Sequence, residues 1–319
     1  MASRSGVNIK TTIYNTFKGV DFSTDPCLVD RRRSPLCTNM VADSGGMPEK
    51  RCGWRTLHKV GGGAVHGMWT ARFGEAQKSV AHIGTKLYSW DDTDAAPVEL
   101  MTGLHDGRSQ GVLLGGKLWI VTGGELLRYD GTTVTDITAS DDVYIPVTVI
   151  ARKPAGGGEP YEDINLLGRY RENRFLADGT SKVYQLDGVI DAEGDVRVWV
   201  NGEETTSGWT ADRTAGNVTF GTAPEAPAAG QEDNVRIQYP HTVSGYADRI
   251  KKCTIITAYG INATNRIVLS GNPEHPNLDW TSAVNDPTYI PDLSYSAVGL
   301  EGVRIMGYCR IGEYLGIVK

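Results

Sequence analysis

Six histidines, five cysteines and a few carboxylate-rich turns are the residues of this 319-residue chain best equipped for chemistry. His58, His66, His82, His105, His241 and His275 are dispersed, with no pair at the i, i+2 or i, i+4 spacing that brings two imidazoles to one metal. His82 lies inside an apolar run and reads as a hydrogen-bonded core residue. Cys27, Cys37, Cys52, Cys253 and Cys309 are odd in number, scattered and without a CxxC. They read as reduced, mostly buried thiols of a protein folded in cytoplasm. Asp91-Asp92-Thr93-Asp94 has the carboxylate density of a calcium loop, but Ala95-Ala96-Pro97 follows, without the bend glycine or the closing Glu. A solvated hairpin turn fits it better. Gly61-Gly62-Gly63 precedes a strand pattern, so it offers no helix N-terminus to a phosphate. There is no GxSxG, HExxH or P-loop, and no GxGxxG opens a helix. The sequence therefore predicts no enzyme: no catalytic, cofactor-binding or metal-binding residues, and no cofactor.

The elements implied by the sequence are strands. Glycine contributes 39 residues, spread along the chain among many Thr and Val, which fits short strands joined by tight turns. Runs of four to seven residues bounded by Gly, Asp, Asn or Pro recur, as at Lys78–Ile83, Lys86–Trp90, Gly111–Leu114, Lys117–Thr122 and Leu126–Tyr129. No stretch of about a dozen residues repeats apolar positions at helical spacing. No apolar run approaches the ~18 residues of a membrane helix, and MASRSGVNIKTTIYN has no apolar core of a secretory leader. The class predicted is all-β.

Gly84–Trp90 and Gly115–Val121 form a weak repeat, each an apolar strand, a glycine turn and a Lys-Leu-aromatic strand. Gly302–Gly307 followed by the Tyr308 to Val318 hairpin gives a looser copy. This pattern suits β-propeller blades, with a sandwich or barrel as the other solution. The middle reads differently. Phe175–Leu186 suggests a strand pair about Asp178-Gly179, Val196–Val200 alternates before an Asn201-Gly202 turn, and Asn217–Phe220 and Val235–Tyr239 follow after the loop 222–230. That is a small β-sandwich inserted between blades. The organisation expected is an extended N-terminal arm over 1–60, blades over 61–142, the inserted sandwich over 143–240 and further blades over 241–319.

Charge separates along these pieces. Residues 1–63 hold ten Lys and Arg against five Asp and Glu, net +5; residues 141–240 hold nine against seventeen, net −8. The arm carries Arg31-Arg32-Arg33 between Asp30 and Ser34-Pro35. Without interleaved aromatics, this run reads as an interface or solvated turn ahead of a nucleic-acid contact.

One stretch carries a resemblance. Phe17-Lys18-Gly19-Val20-Asp21, then Thr38-Asn39-Met40, then Gly46-Met47-Pro48-Glu49-Lys50-Arg51-Cys52-Gly53-Trp54-Arg55 resembles the N-terminal signature of phage tail-hub, nozzle or packaged-DNA-stabilisation proteins. Asn265–Pro273, with Asp279-Trp280 and Asp286–Pro291, looks like the blade that follows the insertion in that family, and Gly307–Lys319 like the next strand pair. The resemblance implies a propeller in a ring of subunits below the portal and adaptor, forming a conduit that passes double-stranded DNA without sequence specificity and holds it after packaging. The place implied is the virion tail, with assembly in the host cytoplasm. The partners implied are copies of itself and other tail proteins, and the interface residues expected are Arg31, Arg32, Arg33 and Trp54. A carbohydrate- or receptor-binding phage adhesin is the alternative, using some of the seven tryptophans, and a propeller hydrolase comes third. Because members of the family are usually longer, and few blades are countable, Tyr314–Val318 is expected at a sheet edge. The fold would be completed by further chain or by neighbours.

Overall fold

Short strands joined by glycine and Asx turns make up nearly all the regular structure of residues 10–11, 13, 16–56, 58–94, 96–228 and 233–319, those described by the computed structural model. The chain divides into two compact units, Met1–Lys59 and Val60–Lys319. Residues 1–9, 12, 14, 15 and 57 of the expected arm, Ala95, and 229–230 of the expected 222–230 loop lie outside the described residues.

In the first unit, β1 (Met40–Ala42) pairs antiparallel with β2 (Pro48–Lys50). The Asp43 carboxylate accepts the Met47 N–H at 2.7 Å, and Gly46 takes φ 79°, a left-handed conformation that glycine adopts freely.

The second unit begins with two four-stranded antiparallel meanders. The first is β3 (Val65–Phe73), β4 (Ala76–Ile83), β5 (Lys86–Trp90) and β6 (Val98–Thr102). The second is β7 (Gln110–Leu114), β8 (Lys117–Val121), β9 (Leu126–Tyr129) and β10 (Val134–Asp136). The strand alternation explains the stacking. Leu118, Ile120, Leu127 and Tyr129 enter a core shared with Val80 and Leu87 of the first meander. Their neighbours Trp119, Val121 and Leu126 enter another core with Ile256, Ile267, Leu269 and Trp280 from far down the chain. The second meander is thus covered on both faces, which is why β8 reads as a nearly continuous apolar run.

The middle block runs through β11 (Val147–Arg152), β12 (Glu159–Pro160), β13 (Tyr170–Phe175), β14 (Val183–Gln185), β15 (Arg197–Val200), β16 (Glu203–Thr205), β17 (Trp209–Asp212), β18 (Asn217–Phe220) and β19 (Val235–Pro240). They form a six-stranded sheet, ordered β12-β11-β13-β19-β15-β16, and a three-stranded one, β14-β18-β17. Phe175, Val198, Val235, Ile237 and Tyr239 of the first meet Tyr184, Val218 and Phe220 of the second in one core. Tyr184 packs edge-on against Phe175 and Phe220, ring centroids 5.3 and 5.1 Å away.

After the short helix α1 (Tyr246–Lys251), a third meander follows: β20 (Ile255–Tyr259), β21 (Arg266–Ser270), β22 (Leu278–Thr281) and β23 (Tyr295–Ala297). The chain then forms a hairpin of β24 (Gly307–Ile311) and β25 (Tyr314–Val318) about Gly312. β25 has no second partner strand among the described residues, so it is an edge. None of the sheets closes on itself.

Three expectations change. Asp178-Gly179 does not turn a hairpin: β13 and β14 belong to different sheets, and the turn carries the chain across the core. The Asp178 carboxylate accepts the Thr180 and Ser181 N–H groups there, an Asx turn that a hairpin dipeptide mimics in sequence. The 31-residue repeat is a repeat of hairpins, out of phase with the meanders. Its first copy spans the second and third strands of one meander, and its second copy the first and second of the next. The segment 302–306 contains no strand; Val303 N–H bonds Leu300 O in a turn.

Candidate interface site

Arg31, Arg32 and Arg33 sit on a turn that backbone bonds pin in place. Lys18 N–H donates to Arg32 O at 2.7 Å, Ser34 N–H to Gly19 O at 3.1 Å, and Arg33 N–H to Asp30 O at 2.7 Å. Gly19, at φ 93°, provides the left-handed bend. All three arginines are exposed. Arg32 forks onto Asp30, Nε to Oδ1 at 3.2 Å and Nη2 to Oδ2 at 2.9 Å, and holds that carboxyl well below its usual range. Arg31 and Arg33 make no ion pair among the described residues.

Behind the arginines lies a cleft of about 300 Å³ whose apolar walls are Phe17, Leu36, Met40, Met47 and Pro48. No described residue of this unit is buried. Phe22 is 82% exposed, Leu28 77%, Leu36 74% and Trp54 80%, so the described residues of the unit form no apolar interior. Surfaces of this composition are normally covered by a partner. Trp54 does not line the cleft and lies in the strandless stretch 51–56. Sequence reading found the basic rim and missed the apolar cleft behind it. The signal was Leu36, Met40 and Met47, apolar residues spaced with neither strand nor helix periodicity.

A second cluster was invisible in sequence. Pairing of β3 with β4 brings His66 and His82 together, ring centroids 5.1 Å apart, although sixteen positions separate them. His82 is fully buried, its Nδ1 lies 3.1 Å from Ser109 Oγ, and its Nε2 has no protein partner. Burial, with the neighbouring His66, pushes its pKa down. His66 Nε2 lies 2.5 Å from Asp106 Oδ1. The cluster lacks the carboxylate on His82 that would orient it as a base toward Ser109. Among the described residues no three His, Cys, Asp or Glu side chains converge to hold a metal.

The remaining sequence candidates distribute as follows. Asp91 accepts Thr93 N–H at 2.8 Å in an Asx turn between β5 and β6. The five cysteines are free thiols, but only Cys253 is buried; Cys27, Cys52 and Cys309 are exposed and Cys37 half-buried. The expectation of mostly buried thiols fails because three of them belong to the N-terminal unit, whose described residues form no core. Of the seven tryptophans only Trp54 is exposed, the others being buried or half-buried. No helix of the described residues is long and apolar enough to cross a membrane. No protein-family model, curated protein or solved structure matches the chain.

Proposed function

We propose that this chain is a structural subunit of a bacteriophage tail, of the tail-hub or nozzle type, and not an enzyme. In this reading copies form a ring below the portal and adaptor, line the conduit for double-stranded DNA and retain the packaged genome. The observation that carries it is the N-terminal unit, none of whose described residues is buried, with its large apolar side chains and with Arg31 and Arg33, which have no ion pair among the described residues, presented outward. A surface like that is built to be covered by other chains. We read the three stacked meanders as consecutive propeller blades and the β24–β25 hairpin as the opening strands of another. Residues 143–240 are then a sandwich domain inserted between blades. Its net charge of −6 suits a wall along which DNA phosphates slide without sticking. The adhesin alternative gains little support, since a sugar platform wants exposed aromatics and six of the seven tryptophans are covered.

Quantitative mass spectrometry of gradient-purified particles tests the reading. The chain should be present in a fixed, ring-sized number of copies per portal. Its absence from particles that are otherwise complete would reject a virion role.

A further inference from the structure

We infer that the arginine-rimmed cleft of the N-terminal unit receives a second copy of this chain, through the acidic loop that carries Tyr161. The inference rests on the ring-subunit reading and names the two surfaces by which one copy would hold the next.

The cleft has an apolar floor and, at its rim, Arg31 and Arg33 without ionic partners among the described residues. It therefore suits a bulky apolar side chain flanked by carboxylates. At about 300 Å³ it has room for one such anchor. The chain presents a matching feature in Glu159-Pro160-Tyr161-Glu162-Asp163. Tyr161 is 63% exposed, and Glu159 and Asp163, at the alternate positions on either side, are exposed and make no ion pair among the described residues. The loop itself is firmly held. Tyr161 N–H donates to Thr148 O at 3.0 Å and Glu162 N–H to Val147 O at 2.9 Å. The Glu162 carboxylate faces inward, accepting the Val147 N–H at 2.7 Å and the Tyr144 hydroxyl at 2.8 Å. Tyr161 is thus a preorganised anchor, which lowers the ordering cost of docking. The same complementarity holds at larger scale: residues 1–63 carry +5 and residues 141–240 carry −8. Because cleft and loop are different surfaces, the contact is head-to-tail, the kind that closes into a ring when its rotation permits.

Mass photometry and sedimentation of the full chain, at about 50 mM and 500 mM salt, test this. The wild type should form oligomers that shift toward monomer at the higher salt. Arg31→Glu/Arg33→Glu, Glu159→Arg/Asp163→Arg and Tyr161→Ala should each lose the oligomer while keeping the wild-type circular dichroism and melting temperature. The chain carrying both charge reversals should assemble again. An oligomer untouched by these substitutions overturns the inference and leaves the ring-subunit reading standing. Loss with the arginine pair alone overturns it in favour of a different acidic partner. A wild type that stays monomeric in both salts overturns it too, whereas the tail reading is judged separately by particle composition.

Discussion

Asn165 Oδ1 accepts the backbone N–H of Ile290 at 3.1 Å, a bond between positions 125 apart in the chain. The same amide is fully used. Its Oδ1 also accepts Leu167 N–H at 3.1 Å, and its Nδ2 donates to Tyr144 O at 2.9 Å and Thr288 O at 2.8 Å. With Asn165 buried, one side chain ties the middle block to the third meander. Asn165→Ala removes four hydrogen bonds and leaves the buried Leu167 and Ile290 N–H groups without that acceptor, and a loss of about 3 kcal/mol is expected by denaturant titration. A loss below about 1 kcal/mol would show that water or relaxation replaces the bonds.

His82 is expected to make the chain acid-sensitive. Its pKa is lowered in the folded state by burial and by His66, with Glu125 and Asp106 opposing. A depressed base is protonated more readily in the unfolded chain, so stability is full above about pH 6.5 and falls as pH drops through and below that value. His82→Gln should flatten the melting temperature between pH 7.5 and 5.5. An unchanged slope would place the acid sensitivity elsewhere.

Asp279 carries the opposite sign. Burial raises its pKa, against the Tyr308 hydroxyl that donates to it at 3.2 Å. A raised carboxyl contributes stability below its ordinary value of about 3.9 and loses it as pH rises through the folded value. Asp279→Asn keeps an acceptor for Tyr308 and removes the buried charge. It should raise the melting temperature at pH 7 and have little effect near pH 3. A lower melting temperature at pH 7 would mean that the ionised form is the better partner.

Residues 143–240 supply every strand of the two sheets that share the Phe175–Tyr184–Phe220 core. Inside this block the nearly buried Arg152 donates to Gln185 O, Gly157 O and Leu186 O, at 2.8, 2.7 and 3.0 Å, stapling β11 to the strand across the core. The fragment is expected to fold alone with a cooperative melt. Arg152→Ala should abolish that melt or lower it sharply, because three carbonyls lose a shared donor. A fragment with a disordered spectrum would mean that this block depends on the meanders.

Strand positions were legible wherever local chemistry decided them. Lys86–Trp90, Leu126–Tyr129 and Asn217–Phe220 lie where alternation and turn residues put them, and Asn201-Gly202 turns the β15–β16 hairpin with both residues at positive φ. Partner choice was less legible. Asp178-Gly179 has hairpin composition, but hydrophobic coverage of Phe175 and Tyr184 from opposite sides sends the flanking strands to different sheets. The arginine rim was readable as a run, whereas its apolar cleft assembles from residues scattered between 17 and 48 with no periodic signature. The His66–His82 contact depends on the register of β3 on β4, including the irregularity between Val65 and Gly67.

The two-sided burial of β8 sets an order for biosynthesis. Leu118 and Ile120 can be covered as soon as they leave the ribosome, because Val80 and Leu87 precede them. Trp119 and Val121 share their core with Ile137, Leu166 and Leu167, but are fully closed over only when Ile256, Ile267, Leu269 and Trp280 follow, well over a hundred residues later. At synthesis rates of about 5–20 residues per second, the nascent second meander keeps an incompletely covered apolar face for roughly seven seconds or more. That interval is when a chaperone, or a neighbouring nascent chain, has its best opportunity to bind.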